Sequence, residues 1–253
     1  MRLFVPLPLA EGAELALPEG AARHAMVRRV QPGEVLTLFD GSGCDWAATV
    51  QAVTRSAVSV RVGAAQRVQR ELAQPVTVAA VMPANERMDL LVEKATELGV
   101  ARIQPLHSER SVLRLQGDRA ERKRLHWQAI AQAACEQCGR SVVPQVAPVL
   151  QLLDWLHTPG LSPGSSQAPA RDAARWLLSL QPDARSAPAL GLPAGPLCTR
   201  SGPEGGFTAE EEAAARAAGF VAVDLGPRVL RAETAPLAVL GWLALQQPMP
   251  GHR

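Results

Sequence analysis

Two short segments near the C-terminus carry the residue types that suit a ligand site. The first, Ser201–Thr208, reads SGPEGGFT, and its three glycines allow the backbone to turn sharply or to approach a ligand closely. Thr208 and Glu211 follow with the T-x-x-E spacing of a capping box, which predicts a helix beginning at Ala209. A glycine loop that leads into a helix N-terminus favours nucleotide-like ligands. The segment has neither dinucleotide-binding nor Walker spacing. By shape alone, a tight turn without a ligand explains it equally well.

The second segment, Gly226–Thr234, reads GPRVLRAET and follows an apolar run, Val221–Leu225, that predicts a strand. An apolar helix is predicted after it, over Ala235–Gln246, with Thr234 as its N-cap. Ligands of open α/β sheets bind outside the carboxyl ends of the strands. We therefore expect the two glycine-bearing segments to lie together over one site.

Three charged residues of the second segment could act on a ligand held there. They are Arg228, Arg231 and Glu233, beside the predicted apolar helix. An arginine can stabilise developing negative charge, and a carboxylate can accept a proton. A surface ion pair between an arginine and Glu233 is the simpler alternative.

A sheet must position these segments, and the sequence pattern from residue 74 onward predicts one. Val76–Met82 is a continuous apolar run, which is typical of a strand buried on both faces. Helical spacing over Glu86–Leu98 ends at Gly99, and Val100–Leu106 predicts the next strand. A long helix is predicted over 119–138. The alternation predicts an α/β domain, 74–253, with a largely parallel sheet. Two Pro-, Gly- and Ser-rich stretches predict loops, at His157–Ala170 and Ser186–Pro196.

Residues 1–73 have a different character and predict a small β-barrel domain. Short apolar runs alternate with turn signals, and period-2 patterns such as Val58, Val60 and Val62 suit half-buried strands. A short helix is predicted over Ala21–Val30. The predicted strands are Leu3–Val5, Val35–Phe39, Trp46–Val53 and Ala57–Val62.

Composition excludes several classes of protein. No stretch of about 18 uncharged apolar residues occurs, so no membrane span is predicted. The N-terminus lacks the pattern of a secretory signal, and we expect a soluble cytoplasmic protein. Cys135 and Cys138 form an isolated C-x-x-C without a second ligand pair, so no metal site is predicted.

Positive charge is concentrated in residues 101–140, where eight basic side chains stand against four acidic ones. Guanidinium groups grip phosphates and stack on bases, so this stretch could bind RNA. A solvated helix face explains it equally well. Further arginines of the predicted barrel could add phosphate contacts. The arginines that we propose for RNA binding are Arg2, Arg23, Arg28, Arg29 and Arg110.

The two C-terminal segments, as GPEGGFTAEE and LGPRVLRAETA, closely resemble the RsmE-type family of SPOUT methyltransferases. Upstream segments agree with it in order: HAMVRRVQPGE, ERMDLLVEKATELGV, HSERSV and EQCGR. The resemblance spans nearly the whole chain. One stretch departs from it, because Cys198–Ser201 (CTRS) stands where the family usually has an apolar strand.

The resemblance implies a fold, a cofactor and a substrate. The fold is an N-terminal PUA-like barrel that binds RNA, followed by a SPOUT α/β domain with a trefoil knot, in a homodimer. The cofactor is S-adenosylmethionine, and the reaction is methylation of N3 of a uridine in 16S ribosomal RNA of the small ribosomal subunit. Carried over by position, the cofactor contacts are Gly202, Glu204, Gly205, Leu225, Gly226, Leu230, Arg231, Glu233, Thr234 and Ala235.

Because uridine N3 carries a proton at neutral pH, this reaction requires a group that accepts it and a group that stabilises the uracil anion. We expect Arg231 first and Arg140 second to stabilise charge, and Glu233 or Glu136 to accept the proton. Two alternatives remain: an RNA-binding or ribosome-assembly protein without catalysis, and an α/β enzyme that acts on a small molecule.

Overall fold

The computed structural model describes residues 1–84, 86–157, 173–203 and 205–247. Two features predicted above therefore lie outside the described residues: Glu204, and all but His157 of the predicted loop His157–Ala170. The described chain forms two compact units. The first comprises Met1–Arg70 and Gln132–Val143, and the second comprises Glu71–Ala131 and Pro144–Arg253.

The first unit contains a five-stranded sheet and one helix. Its strand order is β1-β3-β4-β5-β2, with β1 parallel to β3 and the other pairs antiparallel. The alternating Val58, Val60 and Val62 are all buried, as their spacing predicts. The elements are β1 (Arg2–Phe4), β2 (Glu14–Ala16), α1 (Glu19–Val27), β3 (Val35–Phe39), β4 (Cys44–Val53) and β5 (Val58–Arg67).

The first helix begins and ends earlier than the predicted Ala21–Val30. Arg29 has a φ of 57°, which leaves the right-handed helical region, and the Val30 N–H donates back to the Ala25 carbonyl at 3.2 Å. This six-to-one bond closes a C-terminal cap in which an arginine occupies the position usually held by glycine. The helix therefore ends at Val27, and Arg28 and Arg29 are exposed.

The second unit contains a larger sheet in which every recorded strand pair is parallel. Its order is β11-β13-β10-β12-β6-β7-β8, and β9 pairs with β7. The predicted α/β domain with a parallel sheet is confirmed. Its strands are β6 (Val76–Val81), β7 (Arg102–His107), β8 (Gln145–Val146), β9 (Leu150–Gln151), β10 (Ala174–Leu178), β11 (Arg185–Ser186), β12 (Leu197–Ser201) and β13 (Val221–Asp224).

The helices beside this sheet follow the predicted pattern closely. Gly99 has a φ of 92° just after α2, as expected of a C-terminal cap. The predicted loop Ser186–Pro196 is partly wrong, because Ala187–Leu190 forms a short helix with Pro188 in its first turn. The helices are α2 (Arg87–Glu97), α3 (Gly117–Cys138), α4 (Leu152–His157), α5 (Ala187–Leu190), α6 (Ala209–Ala217) and α7 (Thr234–Leu245). No helix among the described residues is long and apolar enough to cross a membrane.

Candidate functional site

A cavity of about 430 Å³ lies in the second unit, where the loops that follow three neighbouring strands meet. The strands are β13, β10 and β12, and they are adjacent and parallel, so that their carboxyl ends lie at the same edge of the sheet. This volume is in the range of small-molecule and cofactor sites. The lining residues are 178–181, 201–203, 206–207, 212, 223, 225, 228–232 and 235.

The first glycine segment forms one wall of the cavity, and its shape depends on glycine at two positions. A Cβ atom on Gly202 would lie 3.0 Å from Cε2 of Phe207, closer than ordinary van der Waals contact. Gly206 has a φ of 69° and donates its N–H to the carbonyl of Pro203 at 2.9 Å. The segment therefore turns tightly, and the ring of Phe207 packs directly against the backbone at Gly202.

The predicted capping box at the start of α6 is confirmed. The Thr208 hydroxyl accepts the backbone N–H of Glu211 at 3.2 Å, and the Glu211 carboxylate accepts the N–H of Thr208 at 2.9 Å. The second carboxylate oxygen of Glu211 accepts the N–H of Glu109, in the segment after β7, at 2.9 Å. This buried carboxylate thus ties the helix start to a neighbouring loop.

The strand that precedes this segment is buried in spite of its polar residues. Cys198, Thr199, Arg200 and Ser201 are each at most 2% exposed, which answers the question raised by their departure from an apolar strand. Burial raises the pKa of the Cys198 thiol to about 12. Ser201 is one of the residues that line the cavity, and its hydroxyl is buried without a hydrogen-bond partner among the described residues.

Arg200 is the unexpected feature of this strand. Its guanidinium carbon lies 4.2 Å from the centroid of the Phe207 ring, and its Nη2 donates to the carbonyl of Glu211 at 3.4 Å. Burial lowers the pKa of Arg200 to about 10, although the neighbouring Glu211 acts in the opposite direction. A buried cation therefore supports, from behind, the aromatic ring that walls the cavity.

The second glycine segment contributes the opposite wall. Gly226 has a φ of 103° and donates its N–H to the Asp224 carboxylate at 3.0 Å, which closes the turn after β13. The carbonyl of Arg231 accepts the N–H groups of both Thr234 and Ala235. The chain is thus already helical before Thr234. The prediction that Thr234 is the N-cap is wrong by one residue, since Glu233 holds that position without a side-chain cap.

The structure brings the two glycine-bearing segments together, as predicted. Five of the predicted cofactor residues line the cavity: Gly202, Leu225, Leu230, Arg231 and Ala235. Four others, Gly205, Gly226, Glu233 and Thr234, belong to the same segments without lining it, and Glu204 lies outside the described residues. The assignment of these ten positions to a cofactor stays a prediction.

A third wall was missed by the sequence analysis. Leu178, Ser179, Leu180 and Gln181 follow β10 and line the cavity between the other two loops. Glu212 of α6 holds this wall, because its carboxylate lies within hydrogen-bonding distance of both Ser179 and Gln181. The sequence feature that could have predicted this strand and its loop is a short apolar run, Trp176–Leu178, before Gln181-Pro182. It lies among Pro- and Ala-rich sequence.

The four predicted catalytic residues fall in different units. Arg231 is exposed and lines the cavity, and Glu233 is 4% exposed, with an Oε2 that finds no hydrogen-bond partner in the described part of the chain. Arg140 and Glu136 belong to the first unit. There Arg140 is buried, and Glu136 accepts the N–H of Phe4 at 2.9 Å and lies 3.4 Å from His24.

The predicted RNA-binding arginines differ in how freely they reach solvent. Arg23, Arg28 and Arg29 are exposed, and Arg23 pairs with Glu19 at the surface. Arg2 is less exposed than the other four. Its guanidinium is largely buried, bonds to Asp45, to the Arg140 carbonyl and to Ser141, and lies over the Phe39 ring. Arg2 therefore stabilises the first unit, and its assignment to RNA stays a prediction.

Comparison with known proteins places both units in families. Residues 70–244 match the family of RNA methyltransferase domains, and residues 17–63 match the PUA domain of RNA methyltransferases. The ribosomal RNA small subunit methyltransferase E of Mycobacterium tuberculosis is 36% identical over 241 residues, which cover 94% of this chain and 89% of that protein. The enzyme of the same name from Bacillus subtilis is 32% identical, over 87% and 85% of the two chains.

A solved structure agrees with these matches. The ribosomal RNA small subunit methyltransferase E of Neisseria gonorrhoeae, crystallised with S-adenosyl methionine, superposes with a TM-score of 0.86. It is 35% identical, and the alignment covers 96% of each chain. A parallel α/β domain with a loop-walled cavity, joined to a PUA-like unit, defines an RNA methyltransferase architecture of the SPOUT type. Within that class, the chain belongs to the RsmE family of ribosomal RNA small subunit methyltransferases.

Proposed function

We propose that this chain transfers the methyl group of S-adenosylmethionine to N3 of a uridine in 16S ribosomal RNA. The observation that carries the proposal is the cavity at the ends of β10, β12 and β13. It lies in a chain that aligns over 96% of its length with a methyltransferase crystallised with this cofactor.

The residues of the cavity suit that cofactor. Its walls combine apolar side chains, among them Leu178, Leu225 and Leu230, with backbone that glycine keeps open at Gly202 and Gly206. An adenosyl group has a flat apolar face and polar edges, and such a cavity can contact both. The buried hydroxyl of Ser201, without a partner among the described residues, gives a further polar contact.

When bound, S-adenosylmethionine supplies an electrophilic methyl carbon, so the main task of the chain is to hold the acceptor nitrogen in line with it. Arg231 lines the cavity with an exposed guanidinium, which suits it to stabilise charge on the uracil carbonyls. Glu233, two residues later, is a buried carboxylate that can take the N3 proton. Arg140 and Glu136 stand second, because Arg140 is buried in the first unit and the Glu136 carboxylate already accepts the N–H of Phe4.

The uridine must be presented unpaired, since N3 is hidden in a Watson–Crick pair. Arg23, Arg28 and Arg29 are exposed and suit phosphate contacts. Each such contact contributes about 0.7 to the slope of log affinity against log salt concentration for single-stranded RNA. The measured slope divided by about 0.7 therefore gives the number of phosphate contacts.

The proposal includes a homodimer and a knotted C-terminal chain, as in the family. Leu245 at the end of α7 is 85% exposed, and this helix is apolar on all sides, which suits a contact with a second copy. Light scattering on the purified chain measures the dimer.

The decisive experiment is methyl transfer from labelled S-adenosylmethionine to purified small subunits and to naked 16S RNA, with the product mapped by mass spectrometry. We expect one methyl group per RNA, at N3 of one uridine. Calorimetry with the cofactor alone gives a separate reading. Tight RNA binding without cofactor binding would instead establish an RNA-binding protein without catalysis.

A further inference from the structure

Two residues of the segment after β7, Glu109 and Arg110, contact the first glycine segment and the start of α6, and the proposed mechanism gives neither of them a role. Arg110 donates from Nη1 to the carbonyl of Gly205 at 2.9 Å and to that of Phe207 at 3.4 Å. Its aliphatic stem lies close enough that a Cβ atom on Gly205 would be 3.7 Å from its Cδ. The Glu109 N–H donates to Glu211, as described above. We call the contacts of Arg110 and Glu109 with residues 205–211 the clasp.

We propose that Arg110 is a positioning residue that holds the glycine segment in its cofactor-binding conformation, rather than a phosphate contact. This inference rests on the proposed function. Gly205 and Phe207 flank Gly206, whose positive φ makes the middle of the segment the point at which it turns. An arginine that bonds to the carbonyls on both sides of that turn restrains it more than a single bond would.

Buried hydrogen bonds hold both sides of the clasp in place. The segment after β7 is closed by the Ser108 N–H, which donates to the Ser111 hydroxyl at 2.8 Å, and both serines are buried. On the other side, Glu211 is 2% exposed and accepts two N–H groups, from Glu109 and Thr208. Arg110 thus extends from the segment after β7, which these bonds hold in place, to the turn at Gly206. That turn lines the cavity together with Gly202 and Phe207.

Without this restraint, binding must order the turn, and the cofactor then binds more weakly. We expect Arg110→Ala to raise the Kd for S-adenosylmethionine about tenfold, in the absence of RNA, which corresponds to about 1.4 kcal/mol. Arg110→Lys, which keeps one donor group, should give an intermediate Kd. Arg119→Ala removes the same charge from the exposed start of α3 and should leave cofactor affinity unchanged.

Calorimetry with S-adenosylmethionine alone tests this set of variants, and steady-state kinetics on small-subunit RNA completes it. We expect Arg110→Ala to raise KM for the cofactor while kcat at saturating cofactor stays within about twofold, with an unchanged melting temperature, because the lost bonds are at the surface. Cofactor affinity equal to wild type, together with weaker RNA binding and a smaller salt slope, would overturn the inference in favour of a phosphate contact.

Two further results are informative. A lower melting temperature and a lower kcat in Arg110→Ala would indicate general damage and would also overturn the positioning role. If the wild-type chain does not bind S-adenosylmethionine at all, the proposed function itself fails, and this result is distinct from a wild-type affinity that Arg110→Ala leaves intact.

Discussion

The guanidinium carbon of Arg200 lies 4.2 Å from the centroid of the Phe207 ring, and the Phe207 ring packs in turn against the backbone at Gly202. A buried charge, an aromatic ring and a glycine thus form three successive layers that end at the cavity.

Arg200→Met should increase the free energy of unfolding by about 1–2 kcal/mol, because replacing a poorly compensated buried charge with an apolar side chain is often stabilising. The Nε and Nη1 groups of Arg200 are buried and have no partner in the described chain. Urea denaturation at pH 7 measures the change. The same variant should bind S-adenosylmethionine more weakly, since Phe207 loses its support. A loss of stability would mean that the stacking outweighs the cost of burial.

Gly202→Ala should reduce cofactor affinity by about tenfold, because the added Cβ atom would lie 3.0 Å from Phe207 and displace the ring. Gly195→Ala is the matched control, since a Cβ atom there would meet no atom within 4 Å. Calorimetry with S-adenosylmethionine measures the Kd of both variants. Equal affinities would show that the ring can move without disturbing the site.

Arg231→Ala should lower kcat about 100-fold to 1000-fold, as expected when a group that stabilises developing charge is lost. RNA affinity should fall less than about threefold, because at most one phosphate contact is removed. The comparison is Arg228→Ala, which removes the same charge from the same loop. Single-turnover kinetics and RNA binding measure the two quantities, and equal losses in both would point to simple binding by Arg231.

Stability should fall as the pH is lowered through the range below about 6.5, and His107 should account for part of the loss. Burial lowers the pKa of His107, and the charge of Arg114 acts in the same direction. The unfolded chain therefore takes up the proton at a higher pH than the folded chain, and acid favours unfolding. His107→Gln should flatten this dependence, which urea denaturation at pH 5 and pH 7.5 measures. If His107→Gln lost as much stability between pH 7.5 and pH 5 as the wild type, groups other than His107 would cause the loss.

Iodoacetamide should separate the four cysteines of the native protein. Cys198 is buried and has its pKa raised to about 12, and Cys135 is also buried, so both should resist alkylation at pH 8. Cys44 and Cys138 are partly exposed and should react first. Peptide mass spectrometry after short labelling gives the order. Early labelling of Cys198 would mean that β12 opens in solution.

Much of the fold follows from local rules. The capping box at Thr208, the cap at Gly99 and the alternating valines of β5 each depend on neighbours within a few residues, so their spacing predicts them. The start of α7 was missed by one residue because no side chain marks it. Instead, the backbone carbonyl of Arg231 begins the helix.

The rest of the site depends on contacts that no spacing encodes. The segment after β10 joins the cavity only because the chain returns to place β10 between β13 and β12. Arg200 is buried against the ring of Phe207, a contact that the residue types of Cys198–Ser201 do not predict. Arg2 was assigned to RNA from its charge, but Asp45 and Phe39, far along the chain, keep it inside the first unit.

The first unit is discontinuous, since it takes Gln132–Val143 from the end of α3 in addition to Met1–Arg70. A ribosome that has released only the first 70 residues has not yet supplied the Glu136 carboxylate for Phe4 or the Arg140 carbonyl for Arg2. The unit at the N-terminus is therefore completed only after the first two strands of the larger sheet have been synthesised. A fragment cut at residue 70 would therefore lack the groups that bond to Phe4 and Arg2 in the complete first unit.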